Sequence, residues 1–332
     1  MNGNLGAPTP THILAVENLR LAIGGVHVVD GVDLTIGRGR ILALVGESGC
    51  GKSLTALSIL RLLPKAAQFI SGRILFGDRD LAALNERELG ALRGNEVSAI
   101  FQEPITSLNP LMKSGRQVAE ALVLHRGLGP RDAWREAIAM LERVGIPDPE
   151  RRADQYPFEA SGGMCQRIMI ASALICRPKL LIADEPTTAL DVTIQAQILE
   201  LMRQLRDEVG TAILLITHDM GVVADIADDV AVMYGGRVVE SGSVETVFAD
   251  PAHPYTRLLL ATVPKLDGDR KTVLRTIEGA VPSADAWPEG CRFRTRCPLA
   301  DAVCTRTPPL APVRDPVRRA ACWHADRVAE VA

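Results

Sequence analysis

Residues 41–53 read Ile41-Leu42-Ala43-Leu44-Val45-Gly46-Glu47-Ser48-Gly49-Cys50-Gly51-Lys52-Ser53, an apolar run, a glycine-rich turn and a Lys-Ser pair, and Leu54 opens a helix-forming run, "LTALSILRLL". Strand, loop and helix in this order make a cradle for phosphate. The glycines let backbone N–H groups converge on an anion, Lys52 can reach the β and γ oxygens, and the Ser53 hydroxyl can ligate Mg²⁺. A helix beginning near Lys52 adds its positive N-terminal end. A loop of this kind serves many nucleotide-dependent proteins, so the use made of the phosphate must be read elsewhere.

A chain of 332 residues with 47% hydrophobic residues can bury one large core and a smaller second unit. A net charge of −3 gives no general reason to seek nucleic acid, and 4% aromatics are too few for a base-stacking surface. The opening "MNGNLGAPTPTH" has neither a basic start nor an apolar centre, so no signal peptide is expected. The longest apolar stretches, such as "AILLI", fall well short of the ~20 residues that span a bilayer. A cytoplasmic protein is expected, with any membrane role coming through a partner.

Apolar runs at 13–19, 26–36, 40–45, 70–76, 96–101, 179–183, 211–216 and 229–234 predict strands, and patterns at 52–63, 115–128, 131–144, 163–176, 193–209 and 219–227 predict helices. This alternation predicts an α/β fold with a mostly parallel sheet covered on both faces, preceded by an antiparallel β layer. Residues 105–175 contain no strand-like run and predict an inserted helical subdomain. The expected division is a flexible N-terminus over 1–12, a main domain over 13–250, and a loop-rich extension over 251–332 in which Pro and Arg become common.

Two further elements carry chemistry. In "LLIADEP" the apolar residues place Asp184 at the end of a buried strand, where it can hold the Mg²⁺ shell, and Glu185 follows where a carboxylate can orient or deprotonate an attacking water. In "YPFEASGGMCQRIMIASAL", Ser161-Gly162-Gly163 opens an amphipathic helix and makes a second anion site. One nucleotide has no use for two such sites on one chain. Two copies facing head to tail do, each phosphate loop meeting the partner's Ser-Gly-Gly across the γ-phosphate.

With these motifs the chain resembles an ABC-type ATPase subunit. The resemblance spans residues 13–245 and places Walker A at 46–53, the Q-loop at Gln102 in "FQEP", the signature at 160–164, Walker B at 180–185, the D-loop at Ala189-Leu190-Asp191, and the switch histidine at His218 in "LLITHD". "FQEPITSLNP", "HPYTRLLLATVP" (His253 to Pro264) and the tail "GC.F..RCP.A...C....P.L" are similar to ATP-binding subunits of oligopeptide and dipeptide importers. That family implies a P-loop NTPase core and ATP hydrolysis with Mg²⁺. It further implies two transmembrane permease subunits, a second ATP-binding subunit that is identical or paralogous, an external substrate-binding protein, and a place on the cytoplasmic face of the inner membrane. It assigns Lys52 to phosphate charge, Ser53 and Asp184 to the metal, Gln102 to the metal and the attacking water, Glu185 to general base, His218 to the γ-phosphate, and Ser161 and Gly163 to the partner's nucleotide. Peptide is the implied cargo; nickel chelate, glutathione and oligosaccharide remain open, as does a soluble ATPase acting on nucleic acid or ribosomes.

The sequence departs from that pattern at several places. Ala160 stands where leucine is usual, Phe158 for histidine and Cys165 for arginine, and Ile23 falls where an aromatic would stack on adenine. Four of the seven cysteines, Cys291, Cys297, Cys304 and Cys322, lie in the tail, separated by five, six and seventeen residues. Clustered cysteines in a cytosolic chain argue for metal over disulfides. The tight pairs usual for structural zinc are absent. Four thiolates on a loop-rich unit also suit an iron–sulfur cluster, and some members of the resembling family carry 4Fe–4S there. Iron–sulfur, zinc and no metal all stay open. Cys165 and Cys176 read as packing residues, and Cys50 as a tolerated variant of the loop.

Overall fold

The computed structural model describes residues 12–188, 190–263 and 276–331. The expected flexible N-terminus, apart from His12, therefore lies outside the described residues, as do Ala189 and Pro264.

The chain begins with a long antiparallel hairpin, β1 (His12–Ile23) and β2 (Val26–Gly37), and then enters β3 (Ile41–Val45) and helix α1 (Lys52–Ile59). β4 (Ala67–Phe76) and β5 (Arg79–Asp80) return to the hairpin and complete a four-stranded sheet in the order β2-β1-β4-β5. After α2 (Glu86–Leu92) and β6 (Val97–Ile100), five helices follow without a strand: α3 (Pro104–Ser107), α4 (Ser114–Arg126), α5 (Pro130–Arg143), α6 (Pro149–Ala153) and α7 (Gly162–Leu174). The chain then alternates through β7 (Leu180–Asp184), α8 (Val192–Val209), β8 (Ala212–Ile216), α9 (Met220–Ile226) and β9 (Asp229–Tyr234). β10 (Arg237–Ser243), α10 (Val244–Ala249) and α11 (Pro254–Ala261) close this part, and a late hairpin, β11 (Ala311–Val313) and β12 (Asp315–Ala320), comes after them.

The second sheet has the order β11-β12-β10-β9-β3-β8-β7-β6, parallel from β9 to β6. Every residue of β3, β7 and β8 is buried, which is why these strands read as unbroken apolar runs instead of alternating ones. The helical insert packs Val118 and Leu122 of α4, Ala137 and Leu141 of α5 and Ile168 of α7 into one core with the sheet.

Two of the differences from the sequence reading concern the end of α1 and the tail. The helix predicted over 52–63 ends at Ile59, because Arg61 takes a left-handed φ of 51° and Leu62 N–H closes on the Leu57 carbonyl at 2.9 Å, a Schellman stop just before Pro64. The long tail also supplies two strands to the main sheet, where Glu240 pairs with Ala320 and Ser241 with Arg319.

A buried ion pair fastens this last hairpin. Arg318 Nη2 donates to Glu240 Oε1 at 2.8 Å, with the two side chains 4% and 0% exposed. The same carboxylate accepts the N–H groups of Ala252 and His253 at 2.8 and 2.9 Å. Removing one partner of a buried pair strands the other charge, so Arg318→Ala is expected to lower stability by about 3–5 kcal/mol in chemical denaturation.

Candidate nucleotide site

The C-terminal edge of the parallel strands gathers most of the motif residues. β3 runs directly into the phosphate loop, where Gly46 has φ 148° and a Cβ there would lie 2.1 Å from the Met233 carbonyl oxygen. At Gly51, φ is 99° and a Cβ would meet Val28 O and Val29 Cγ2 at 3.0 Å. No side chain fits at Gly46, and one at Gly51 would be strained by that φ and crowded by Val28 and Val29. Gly51 also caps α1 without a side-chain acceptor, which leaves the first N–H groups of that helix facing the loop. Lys52 is almost buried and donates to the carbonyls of Gly46 at 2.7 Å and Glu47 at 3.1 Å, so its ammonium curls over the loop at the place an anion would take.

β7 delivers Asp184 beside this loop. Its Oδ1 is buried and has no hydrogen-bond partner. Desolvation, with the charge of Glu185 added, pushes the Asp184 carboxyl above its usual range, against a hydrogen bond from Ser53 and the charge of Lys52. A buried, unpartnered carboxylate oxygen next to a serine hydroxyl is a donor set of hard oxygens that fits Mg²⁺.

Glu185 takes a left-handed φ of 49°, an uncommon conformation for a non-glycine residue and one that costs about 1 kcal/mol or more. The bond from Glu185 N–H to the Ile216 carbonyl of β8, at 2.9 Å, holds it there. The turn redirects the carboxylate out of the strand, where Oε2 accepts from Thr188 Oγ1 at 3.0 Å and Oε1 lies 3.3 Å from His218 Nδ1. His218 follows β8 and is 65% exposed, open to a ligand in the cleft. Thr188 went unnoticed in the sequence, where a Thr-Thr pair after Pro carries no distinctive signal.

The remaining motif residues stand apart from this group. Gln102 is exposed at the same sheet edge, just after β6, and among the described residues no hydrogen bond joins it to Asp184 or Glu185. Ser161 caps α7, accepting from Met164 N–H at 3.4 Å, and Ser161 and Gly162 are exposed. Asp191 caps α8, accepting from Ile194 N–H at 3.0 Å. Neither the Ser-Gly-Gly element nor Asp191 shares a hydrogen bond with the phosphate loop among the described residues. Ile23 is 36% exposed at the end of β1, and Cys165 and Cys176 are buried in the helical core.

The ABC transporter family matches residues 29–188, and the oligopeptide/dipeptide transporter C-terminal region matches 239–304. The dipeptide transport ATP-binding protein DppD of Bacillus subtilis is 48% identical over 96% of this chain and 96% of its own. The chain belongs to the ATP-binding subunits of ABC transporters. The family carries ATP hydrolysis with it, so this ABC subunit is an ATPase. The oligopeptide transport ATP-binding protein OppD of Salmonella typhimurium is 48% identical, covering 96% of this chain and 95% of that one. A dimeric ABC transporter cassette, solved after hydrolysis with ADP and Pi, superposes with a TM-score of 0.64 at 26% identity, covering 70% of this chain and 98% of that one.

The four tail cysteines of this ABC subunit are free thiols, Cys304 buried and the other three half-buried. Burial pushes Cys297 up to about 11 and Cys322 up to about 12, and in both cases the charges of Cys291 and Cys304 add to the rise. Cys291 is raised by burial and by Cys304. The sulfur of Cys322 accepts the His324 N–H at 3.3 Å. Four soft donors on one loop-rich unit are of the kind that holds a thiolate-bound metal group. Asp301 and His324, 3.2 Å apart, lie beside Cys304.

Proposed function

We propose that this ABC ATPase powers the import of peptides, by closing on ATP against a second ATP-binding subunit, identical or paralogous, and reopening after hydrolysis. The single observation that carries the reading is the joining of a phosphate loop, Asp184, Glu185 and His218 at one sheet edge, with the Ser-Gly-Gly helix start presented on an exposed face. A site so divided is complete only when two copies face each other. Peptide as cargo is supported by the match over 239–304 and by relatives named for peptide, dipeptide and oligopeptide transport.

In this reading Lys52 leaves the Gly46 and Glu47 carbonyls for the β and γ oxygens, and the loop N–H groups from Gly46 to Ser53, with Leu54 behind them, cradle the phosphates. Glu185 orients and deprotonates the attacking water, and His218 holds the γ-phosphate and steadies Glu185. Ser161, Gly162 and Gly163 bind the partner's γ-phosphate, and Asp191 meets the partner beside them. Ser53, Asp184 and Gln102 would hold Mg²⁺, which would supply charge neutralisation for phosphoryl transfer, and Gln102 would also orient the attacking water. The tail thiols Cys291, Cys297, Cys304 and Cys322 would hold a 4Fe–4S cluster with a structural role.

Residues 13–250, with the helical part at about 105–175, form the engine, and 251–332 the extension. Among the described residues no helix is long and apolar enough to cross a membrane. The subunit would therefore sit on the cytoplasmic face of the inner membrane through two permease subunits, and meet the substrate-binding protein only through them. The face for the permeases is the apolar groove beside the Q-loop, lined by Phe101, Leu108 and Gln117, with Ile105 and Leu111 exposed near it.

Purification from detergent is expected to bring down a hydrophobic permease pair, and in vesicles a di- or oligopeptide with the binding protein should stimulate hydrolysis. Stimulation by a nickel chelate, glutathione or an oligosaccharide instead would overturn the cargo, and recovery with nucleic acid or ribosomes would overturn transport.

The raised carboxyl of Asp184 gives a sign that can be checked. Its neutral form is favoured in the fold, so its contribution to stability is greatest below the carboxyl range of the unfolded chain and declines as pH rises through the raised value. At neutral pH the buried charge is a cost. Asp184→Asn is expected to raise Tm at pH 7 while lowering Mg²⁺-dependent turnover by about 10²-fold or more, with the gain in Tm shrinking toward acid pH.

A further inference from the structure

One side chain from the tail grips the phosphate loop. The Arg296 side chain is 4% exposed, and its Nη1 and Nη2 lie 2.7 and 3.0 Å from Oε2 and Oε1 of Glu47, a forked pair. The rest of the guanidinium is fixed by the carbonyls of Glu278 at 2.9 Å and of Ile277 and Gly279 at 3.2 Å. The turn that carries it is pinned by Arg296 N–H to Phe293 O at 3.0 Å and Ala300 N–H to Cys297 O at 3.2 Å. Glu47 is held from a second side as well, its N–H donating to the Tyr255 hydroxyl at 2.8 Å, while its carbonyl accepts from Lys52 at 3.1 Å. Tyr234, Tyr255 and Phe293, with ring centroids 4.7–5.4 Å apart, form a buried aromatic floor below this clamp.

Glu47 poses an electrostatic problem. It is an acid in the second position of a loop that receives a polyanion, and an unpaired carboxylate there would repel the phosphates. We infer that Arg296 is a positioning residue for nucleotide binding: it cancels the charge of Glu47 and fixes the backbone whose carbonyl aims Lys52. The tail, 249 positions away, thereby sets the affinity of the phosphate loop. This inference rests on the loop being the ATP site.

The test measures MgATP dissociation constants with a fluorescent nucleotide, together with kcat, KM and Tm, for the parent, Arg296→Gln, Glu47→Gln and the double variant. Arg296→Gln is expected to raise Kd and KM by about tenfold or more with kcat little changed, because it leaves a carboxylate facing the phosphates. The double variant should return most of the affinity, since the repelling charge is gone as well; a role in folding alone would not be rescued by a second loss. Glu47→Gln, which leaves the guanidinium on its carbonyl partners, should bind as tightly as the parent or tighter, and remains informative if Arg296→Gln does not fold. An unchanged Kd in Arg296→Gln, a double variant no better than that single one, or a Glu47→Gln about tenfold weaker than the parent would overturn the inference. A parent that binds no MgATP would instead overturn the assignment of the loop.

Discussion

Glu185→Gln is expected to cut ATP turnover by about 10²- to 10⁴-fold while MgATP binding stays near the parent's. The amide keeps the shape of the side chain, and neither the left-handed backbone at 49° nor its bond to Ile216 depends on the carboxylate. What is lost is the group that takes the proton from water and the charge that answers His218 across 3.3 Å. With hydrolysis stalled, ATP stays between the two copies, so the variant should also elute as a dimer when ATP is present. Turnover measured over a range of ATP concentrations, with size-exclusion chromatography in ATP, checks both parts. Full turnover in this variant would remove Glu185 from the role of base.

Lys52→Ala is expected to be as severe through a different step. Lys52 is the cationic residue of the phosphate loop's own sequence, and its present carbonyl acceptors, those of Gly46 and Glu47, belong to the loop itself. It is thus preorganised: moving to a phosphate exchanges two neutral acceptors for a charged one, with little side-chain entropy left to lose. Losing one such donor from a charged transition state costs about 10²- to 10³-fold in rate, and here ground-state binding should weaken too, so KM rises as kcat falls. Lys52→Met keeps the apolar stem and separates loss of charge from loss of packing. Nucleotide titration beside steady-state kinetics makes the comparison, and an Ala variant that binds MgATP as the parent does would contradict the role.

The parts of the site legible in the sequence are those built from neighbours in the chain. Glycines next to a Lys-Ser pair, an acid pair closing an apolar strand and a Ser-Gly-Gly before a helix each state their geometry locally, because a buried parallel strand is an unbroken apolar run and its end is a fixed place in the sheet. The contacts that were not legible join distant positions. Nothing near Glu47 announces Arg296 or Tyr255, and nothing near Glu240 announces Arg318. The strand pairing of 311–320 was hidden for another reason, since short strands rich in Pro and Arg show no apolar alternation, and β12 pairs on one side with β10, about eighty residues earlier (Glu240 with Ala320, Ser241 with Arg319). The early end of α1 was set by a single left-handed residue, Arg61, which no periodicity discloses.

The account as a whole stands on a nucleotide shared between two such subunits, and mixing tests this most directly where the two are identical copies. Ser161→Glu and Lys52→Ala proteins should each be nearly inactive alone. In a mixed pair one site draws its lysine from the first chain and its serine from the second, so combining them should restore turnover well above the sum of the separate rates, and the gain should depend on protein concentration. If the Ser161→Glu protein alone turns over ATP like the parent, or the mixture gains nothing, the nucleotide is not held between copies.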